Sequence, residues 1–498
     1  MTTPDSLGAP RADAGDGGPR PFHVVPPVGA PSARRLLLIS QHFPPSHSVG
    51  ALRWQMLAGY AAERGWGLDV VTLEPEAHVE GVDLARLADL PPDVRIYAVP
   101  ERQPAVARLV TAAWHAVGRR VVRRGPVAEA PSGAAAPRAA TPPRQKASSM
   151  AGRSFSRAEI VARPWTKRDA IRAYLAWLEY ARTGGWAKAA AGLAERVVRP
   201  GVHRAVVSSG PPHMAHEAAR AVAERTGLPL VLDFRDPWSL AERLPESISS
   251  RLWYRLAERY ERAALERAAL IVANTEAASR ALRARYPSVA SRIVTVMNGA
   301  DEQPMPKRST ADGPFVVAYA GTIYLDRDPL PLFRAAARVV RELALTPAQF
   351  AVRFLGDAEG FDVIGAAKEA GIGGFVTLAP PRPRAEALRF LADATLLVSL
   401  PQDSAMAVPA KIFEYVQFDA WVLALADRDS ATELVLRDSG ADVVAARDED
   451  GIAAVLRARY QEFARGVRPA AINRTGRFSR RAQADVLLAA LDRIAPPR

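Results

Sequence analysis

The sequence predicts an α/β protein of two successive doubly wound domains facing a cleft. Three observations predict it. At 498 residues the chain is too long for one typical domain. Short β-branched or Leu-rich runs alternate with helical segments from residue 34 onward, the rhythm of parallel strands joined by crossover helices. That rhythm breaks once, at the polar, Pro-containing stretch Gly299–Pro314, and then restarts.

Residues 1–33 carry seven Pro, five Gly and one aromatic residue, and read as a disordered tail. The first domain, 34–298, offers strands at Leu36–Ser40, Leu68–Leu73, Val94–Val99, Arg204–Ser208, Leu230–Phe234, Leu270–Ala273 and Ile293–Val296. Its helices are Gly50–Arg64, His213–Thr226, Ser250–Ala268 and Glu276–Arg285. A Pro/Ala/Ser-rich stretch, Gly125–Arg153, is too poor in large apolar groups to pack, so an insertion over about 120–165 is expected to be partly disordered. Trp-bearing helical pieces around Val106–Arg124 and Trp165–Arg199 flank it. The second domain, 299–478, supplies strands at Phe315–Ala320, Phe350–Leu355, Phe375–Leu378, Thr395–Leu400, Trp421–Leu425 and Asp442–Ala445. A helix within 479–498 closes the chain, and one placement for it is back on the first domain.

The absence of cysteine excludes disulfide scaffolds, thiolate metal sites and cysteine nucleophiles. No apolar run is long enough to span a bilayer, and the first residues lack a basic-then-apolar leader pattern, so the cytoplasm is the expected compartment. The net charge of +13 is confined to one region: residues 101–200 hold 19 Arg/Lys against 6 Asp/Glu, while the remainder holds 47 of each sign. A basic segment of this kind is attracted to anionic lipid headgroups or to phosphate-bearing substrates, with Trp114, Trp165, Trp177 and Trp186 available to seat at a membrane interface. Tryptophan at helical spacing serves a core equally well, and a solvated insertion that touches nothing is the plainer alternative. Nucleic acid is not expected as a partner, because no helix-turn-helix, zinc-finger or RNP-like pattern accompanies the charge.

In open parallel sheets, ligands gather at the carboxyl ends of the strands. The residues that carry chemistry lie there. The first strand runs through Gln41–Pro45 into Gly50-Ala51-Leu52-Arg53-Trp54, which opens a helix. Arg53 in a first helical turn opposes the macrodipole unless an anion compensates it. Ser208–Pro212 brings His213 to another helix start, and Asp233-Phe234-Arg235-Asp236-Pro237-Trp238 follows the next strand. An Asp–Arg pair bracing the loop would explain that last cluster equally. In the second half Gly321 and Thr322 end a strand, Arg327 follows within reach, and Gly356 holds the parallel position after the next strand. Glycine there admits a phosphate close to the backbone. Lys411 and Glu414 stand at i and i+3 on a helix starting near Pro409. A cation for a diphosphate and a carboxylate for ribose hydroxyls fit a nucleotide, and an intrahelical ion pair is the alternative. Walker, G-x-G-x-x-G, G-x-S-x-G and H-E-x-x-H signatures are absent, and no D-x-D triplet argues for a metal.

Taken together, Gly50–Trp54, Pro211–His213, Asp233–Trp238 and Pro409–Tyr415 resemble family 4 of the glycosyltransferases, the retaining enzymes of the GT-B fold with two Rossmann-like domains. The likeness covers roughly residues 34–495 outside the 120–165 segment and is closest to a bacterial subgroup with PPH, DFRDPW and PxKxxEY motifs. It implies a metal-independent transferase without cofactor, hexosyltransferase-like, moving a sugar from a nucleotide-sugar donor in cell-surface glycan or polysaccharide synthesis. The first domain would then hold a glycan or lipid-linked acceptor, with Gly50, Arg53, Trp54, Asp233, Arg235 and Asp236 on that side. The second would bind the donor through Gly321, Thr322, Gly356, Ser404 and Glu414, the last holding the ribose. His213, Arg327 and Lys411 take the catalytic positions. The sequence departs from the family at Met406, where a glutamate is usual, and at Gln417–Val422, where Ala-x-Gly-x-Pro-Val is usual. Those departures favour, as the alternative, a non-catalytic GT-B protein that binds a nucleotide or glycan or scaffolds a complex. An epimerase or phosphorylase on the same fold finds no specific support.

Overall fold

The apolar runs become inner strands because each is buried on both faces, which only a parallel sheet covered by helices provides. A computed structural model describes residues 18–78, 81–101, 154–300, 304–309, 313–323, 327–358, 360–401, 404–473 and 476–495. The first domain begins with β1 (His23–Val25), β2 (Arg34–Ile39), α1 (Val49–Glu63), β3 (Trp66–Leu73) and β4 (Val94–Val99). It resumes with β5 (Ser154–Ser156), α2 (Arg157–Ala162), α3 (Lys167–Val197), β6 (His203–Gly210), α4 (Met214–Thr226) and β7 (Leu230–Phe234). Then come β8 (Arg243–Pro245), α5 (Arg251–Arg267), β9 (Leu270–Ala273), α6 (Glu276–Arg285) and β10 (Ile293–Thr295). The second domain runs β11 (Phe315–Ala320), α7 (Leu330–Glu342), β12 (Phe350–Leu355), α8 (Val363–Glu369), β13 (Val376–Ala379) and α9 (Arg384–Ala392). It continues through β14 (Leu396–Ser399), α10 (Ala410–Tyr415), β15 (Trp421–Leu425), α11 (Ala431–Leu436), β16 (Asp442–Val444) and α12 (Glu449–Ala464); α13 (Arg480–Ile494) follows.

The two sheets are wired alike. The first has the order β1-β4-β3-β2-β6-β7-β9-β10 and the second β13-β12-β11-β14-β15-β16. All neighbours are parallel except β1, which lies antiparallel on the edge against β4. In each sheet the winding starts at a central strand, runs two strands one way, then crosses over and runs the other way. The crossover falls between β2 and β6 in the first domain and between β11 and β14 in the second. Those switch points are where loops diverge and leave a crevice at the carboxyl ends.

At the opposite end of the first sheet, Arg35 is fully buried and bonds Asp69 at 2.8 Å and Asp93 at 2.5 Å, while His203 meets Asp69 at 2.9 Å. Burial opposes ionisation of Asp69, but the bonds from His203 and Arg35 outweigh it and hold the carboxyl below its usual range. This cluster sits at the amino ends of the strands, far along them from the crevice, and ties strands together.

The helix α3 is 31 residues long, about 46 Å. Thr166 and Asp169 cap its start reciprocally. Its buried positions Ala176, Tyr180, Thr183, Ala187, Ala190, Ala194 and Val197 repeat at steps of four and three, a narrow seam of mostly small side chains that lets α4 and α5 approach. Trp186 belongs to this core and is fully buried, so it is not an interfacial tryptophan. Trp114 and the expected helix Val106–Arg124 lie outside the described residues.

One expectation needs correction, and for another the ordered part is placed, residues 120–153 lying outside the described residues. The tail does not extend to residue 33, because His23–Val25 pairs with Val94–Ile96 along the sheet edge. The end of the 120–165 segment is also ordered: Ser154–Ser156 pairs with Arg243–Pro245, and α2 follows directly with a capping box on Ser156. Runs of three residues are too short to show a periodicity by which either could be read.

The helix α13 starts beside the second domain and lies on the first. Leu487, Leu488 and Leu491 are buried in the cluster that holds Leu36, Trp54 and Leu57. Arg34 and Arg64 reach Asp492 and Asp485 across that contact.

Candidate active site

In the second domain the site is built from backbone upward. Gly321 after β11 has φ +135° and Gly356 after β12 has φ +142°, a region closed to side chains. The two loops are zipped together, Gly321 N–H donating to Leu355 at 2.8 Å and Ile323 N–H to Asp357 at 2.8 Å. A β-carbon on Gly356 would strike the Gly321 carbonyl, and one on Gly321 would come within 2.5 Å of Lys411 Nζ. The missing side chain is therefore the space that the Lys411 amine occupies. Lys411 reaches it from α10, donating to the Ala320 carbonyl at 3.0 Å and resting 3.8 Å over the Tyr319 ring. Tyr415, one turn further, accepts the Ala320 N–H at 3.1 Å.

Burial, with a further push from Arg327, lowers the Lys411 ammonium to about 7, against the opposing pull of Glu414. Arg327 donates to the Thr322 carbonyl at 3.1 Å, which folds it back over the same loop. Glu414 points outward from α10, where Arg384 meets it at 2.8 Å. Gly321, Thr322, Arg327, Gly356, Lys411 and Glu414 are thus brought together at the switch point. Tyr319 and Tyr415 complete the cradle and escaped sequence reasoning, since aromatic residues in a strand and a helix read simply as core.

Ser404 stands apart from this group. Its hydroxyl accepts the Met406 N–H at 3.2 Å, in a loop that turns toward the first domain. There Ala405 N–H donates to Glu242 at 2.8 Å and Thr275 donates to the Met406 carbonyl at 2.7 Å. The Met406 side chain packs against the core cluster of the first domain. At Met406, the position where the resemblance implies a glutamate, this chain carries a contact between domains.

In the first domain the expected acceptor-side residues divide. Arg53 is buried and turned inward, bonding Asp233 at 2.9 Å and 3.1 Å, the Val296 carbonyl at 2.9 Å and Asn298 at 3.1 Å. Trp54 Nε1 and the Ser209 hydroxyl also donate to Asp233, at 2.8 Å and 2.9 Å. Burial raises the Asp233 carboxyl, but Arg53 and these donors outweigh it and keep it below its usual range. Arg53, Trp54 and Asp233 therefore form a buried bracket between α1 and β7 and do not face the crevice. The anion that compensates Arg53 at the helix start is Asp233 itself. Gly50 and Arg235 do lie together, since a β-carbon at Gly50 would overlap the Arg235 guanidinium. Asp236 is exposed beside them.

His213 precedes α4 and lies on Trp238, ring centroids 5.1 Å apart and nearly parallel. Its Nδ1 is buried without a hydrogen-bond partner, as is Nε2 of the neighbouring His216, whose Nδ1 meets the Ser208 hydroxyl at 2.8 Å. Burial first, then His216 and Arg235, push the His213 imidazolium well down, so its ring is neutral at pH 7. His42, after β2, is pushed down to about 4 by burial, Arg235 and His78. Three neutral imidazoles, His42, His213 and the fully buried His216, thus gather around the Arg235 guanidinium after β2 and β6. His42 and His216 were passed over in the sequence because a single histidine carries no spacing signal.

Comparison with solved structures bears on the arrangement of both domains at once. A sucrose-phosphate synthase from Thermosynechococcus elongatus matches over 92% of this chain and 98% of its own, with 14% identity and a TM-score of 0.55. The lipopolysaccharide outer core galactosyltransferase WaaB in its apo form matches over 92% and 99%, with 12% identity and a TM-score of 0.54. A UDP-forming α,α-trehalose-phosphate synthase from Burkholderia xenovorans matches over 93% and 100%, with 12% identity and a TM-score of 0.53. The chain has the GT-B fold. Residues 161–303, from α2 to the break between domains of this GT-B chain, also match the family model Glycosyltransferase Family 4. No curated protein matches by sequence. The matched stretch includes His213, Asp233, Arg235 and Asp236, and ends before the second half of the GT-B pair.

Proposed function

We propose that this chain is a retaining glycosyltransferase that moves a sugar from a nucleotide-sugar donor to a polysaccharide or lipid-linked acceptor without a metal. The observation that carries the reading is the cradle at the second switch point: a buried amine, an adjacent guanidinium and two glycines held open at left-handed φ. Leaving-group departure concentrates negative charge on a diphosphate. Lys411 and Arg327 meet that charge, in a place where water screening is weak. Glu414, on the rim, accepts from ribose hydroxyls in exchange for Arg384. Synthesis at the cytoplasmic face of a membrane accords with an acceptor on a lipid carrier; no described helix is long and apolar enough to cross one.

Titration calorimetry with UDP, GDP, ADP and TDP, followed by transfer assays with the matching sugars, tests the reading. One nucleoside diphosphate is expected to bind, with the anomeric configuration of the donor kept in the product and turnover surviving a chelator. Lys411→Ala should lower turnover by about 10²–10³-fold; a loss of only a few-fold sinks its assigned role. One observation favours a second reading, a nucleotide-binding protein without turnover: Met406 puts no carboxylate beside the donor cradle and is committed to the other domain. Binding with no transfer to any acceptor would establish it.

A further inference from the structure

Among the described residues, the first turns of α3 carry an apolar and aromatic side that nothing covers. Inward positions Arg172, Ala176 and Tyr180 are buried. Outward, Ile171 is 59% exposed, Trp177 40% and Tyr174 36%, with Lys167 one turn before Ile171. Tyr174 and Trp177 stack on each other at 6.1 Å. The strip continues through the turn before the helix, where Trp165 is 68% exposed, and onto α2, where Val161 is 55% exposed. Beside Ile171 a shallow depression is lined by Arg168, Leu175 and Pro245.

The charge around this strip is one-sided. Asp169 is paired with Arg163 and Arg172 and Glu246 with Arg172, while Glu159 on α2 caps that helix by accepting the Ser156 N–H. Lys167 and Arg168 are exposed at its edge. The sequence that enters at Ser154, residues 102–153, holds ten arginines and lysines and one glutamate. Tryptophan and tyrosine, which pair an apolar body with a polar tip, together with flanking cations, suit the boundary between lipid headgroups and acyl chains. A protein partner would need a shaped pocket for each aromatic side chain, whereas a bilayer needs only the strip and its flanking cations.

We propose that the face carrying Val161, Trp165, Ile171, Tyr174 and Trp177 is the surface by which this protein docks on a bilayer containing anionic lipid. The proposal deepens the reading of a lipid-linked acceptor given above, since it names the surface that brings the first domain to the bilayer. Its test does not depend on turnover.

The full chain is sedimented with vesicles of phosphatidylcholine alone and of phosphatidylcholine mixed with phosphatidylglycerol, at low salt and at about 1 M, where the Debye length falls to about 3 Å. Binding is expected on the anionic vesicles at low salt only. Two variants locate the contact: Ile171→Ser with Tyr174→Ser and Trp177→Ser, and Lys167→Glu with Arg168→Glu. Each should weaken anionic-vesicle binding by about tenfold or more. Quenching of tryptophan fluorescence by brominated lipid should fall when Trp165 and Trp177 become Phe. All substituted side chains are on the surface, and unchanged melting temperatures confirm folding. Binding unaltered in both variants but lost when residues 102–153 are deleted overturns the proposal, because the charge then acts without the face. So does the absence of vesicle binding, or variants that change only the oligomeric state, which would make the face a contact with a second copy. Nucleoside diphosphate binding, measured on the same proteins, is expected to stay unchanged. Vesicle binding without nucleotide binding leaves the docking surface standing and removes the transferase reading.

Discussion

Lys411 titrates near neutrality because burial and Arg327 outweigh the pull of Glu414, so proton binding and anion binding are linked at that atom. On the function proposed above, a diphosphate brought to the amine would restore its proton. At pH 8, binding of a nucleoside diphosphate should take up a proton, seen in calorimetry as a heat that changes with the ionisation enthalpy of the buffer. Affinity should fall as pH rises above about 7, and Lys411→Ala should abolish both effects. The sign for stability is the reverse. Between about 7 and the ordinary lysine value of 10.5 the unfolded chain holds the extra proton, so without ligand the fold gains stability as pH rises through that window. A second residue-scale expectation concerns the buried bracket. Arg53→Ala leaves Asp233 buried with its charge uncompensated and should cost about 3–5 kcal/mol in urea denaturation. An acceptor-binding role alone would instead raise KM and leave the denaturation midpoint in place. The motif around Arg53 and Asp233 was visible in the sequence, but its direction was not. Which way a guanidinium turns depends on a partner 180 residues away, and spacing carries no information on that.

At the scale of elements, strands were the most legible feature. Val94–Val99, Leu230–Phe234, Phe315–Ala320 and Trp421–Leu425 stand where their largely apolar runs begin and end, since a strand covered on both faces is built mostly from apolar residues, Asp233 being admitted by its bonds to Arg53. Elements whose stability comes from distant partners were illegible. The edge strand β1 has three residues and exists through pairing with β4, and β5 through pairing with β8. The loop after β14 belongs to the same class. Nothing local marks residues 404–409 as a contact between domains, yet Met406 and the bonds to Thr275 and Glu242 make them one. Met406→Glu would therefore not recover a donor-binding carboxylate. It would set a charge against the apolar core of the first domain and should cost about 1–3 kcal/mol of stability. Differential scanning calorimetry together with a transfer assay checks this: a variant that gains turnover at an unchanged melting temperature would contradict it.

At the scale of the whole molecule, two wired-alike sheets were foreseeable from a rhythm that stops near residue 300 and restarts, whereas the course of α13 was open. Its three leucines each contribute roughly 1.5–3 kcal/mol on burial, together about 5–9 kcal/mol, comparable with the whole stability of an ordinary domain. A chain ending at Phe478 should lose its cooperative thermal transition and its soluble yield, and a normal transition in that truncated protein would show the helix to be dispensable. The same helix means that the backbone passes between the domains twice, and the two passages run side by side. Ala300 N–H donates to Phe478 at 2.7 Å, and Arg480 N–H donates to Ala300 at 2.8 Å, with Gly299 closed against the Arg480 backbone. The two segments meet as a single parallel bridge, Ala300 beside Ser479, so the link between the domains is a double one. Recombination meets the same geometry: exchanging either half for a foreign one requires two junctions cut together, at about 300 and 479, and a single splice would leave one half wearing the other's last helix.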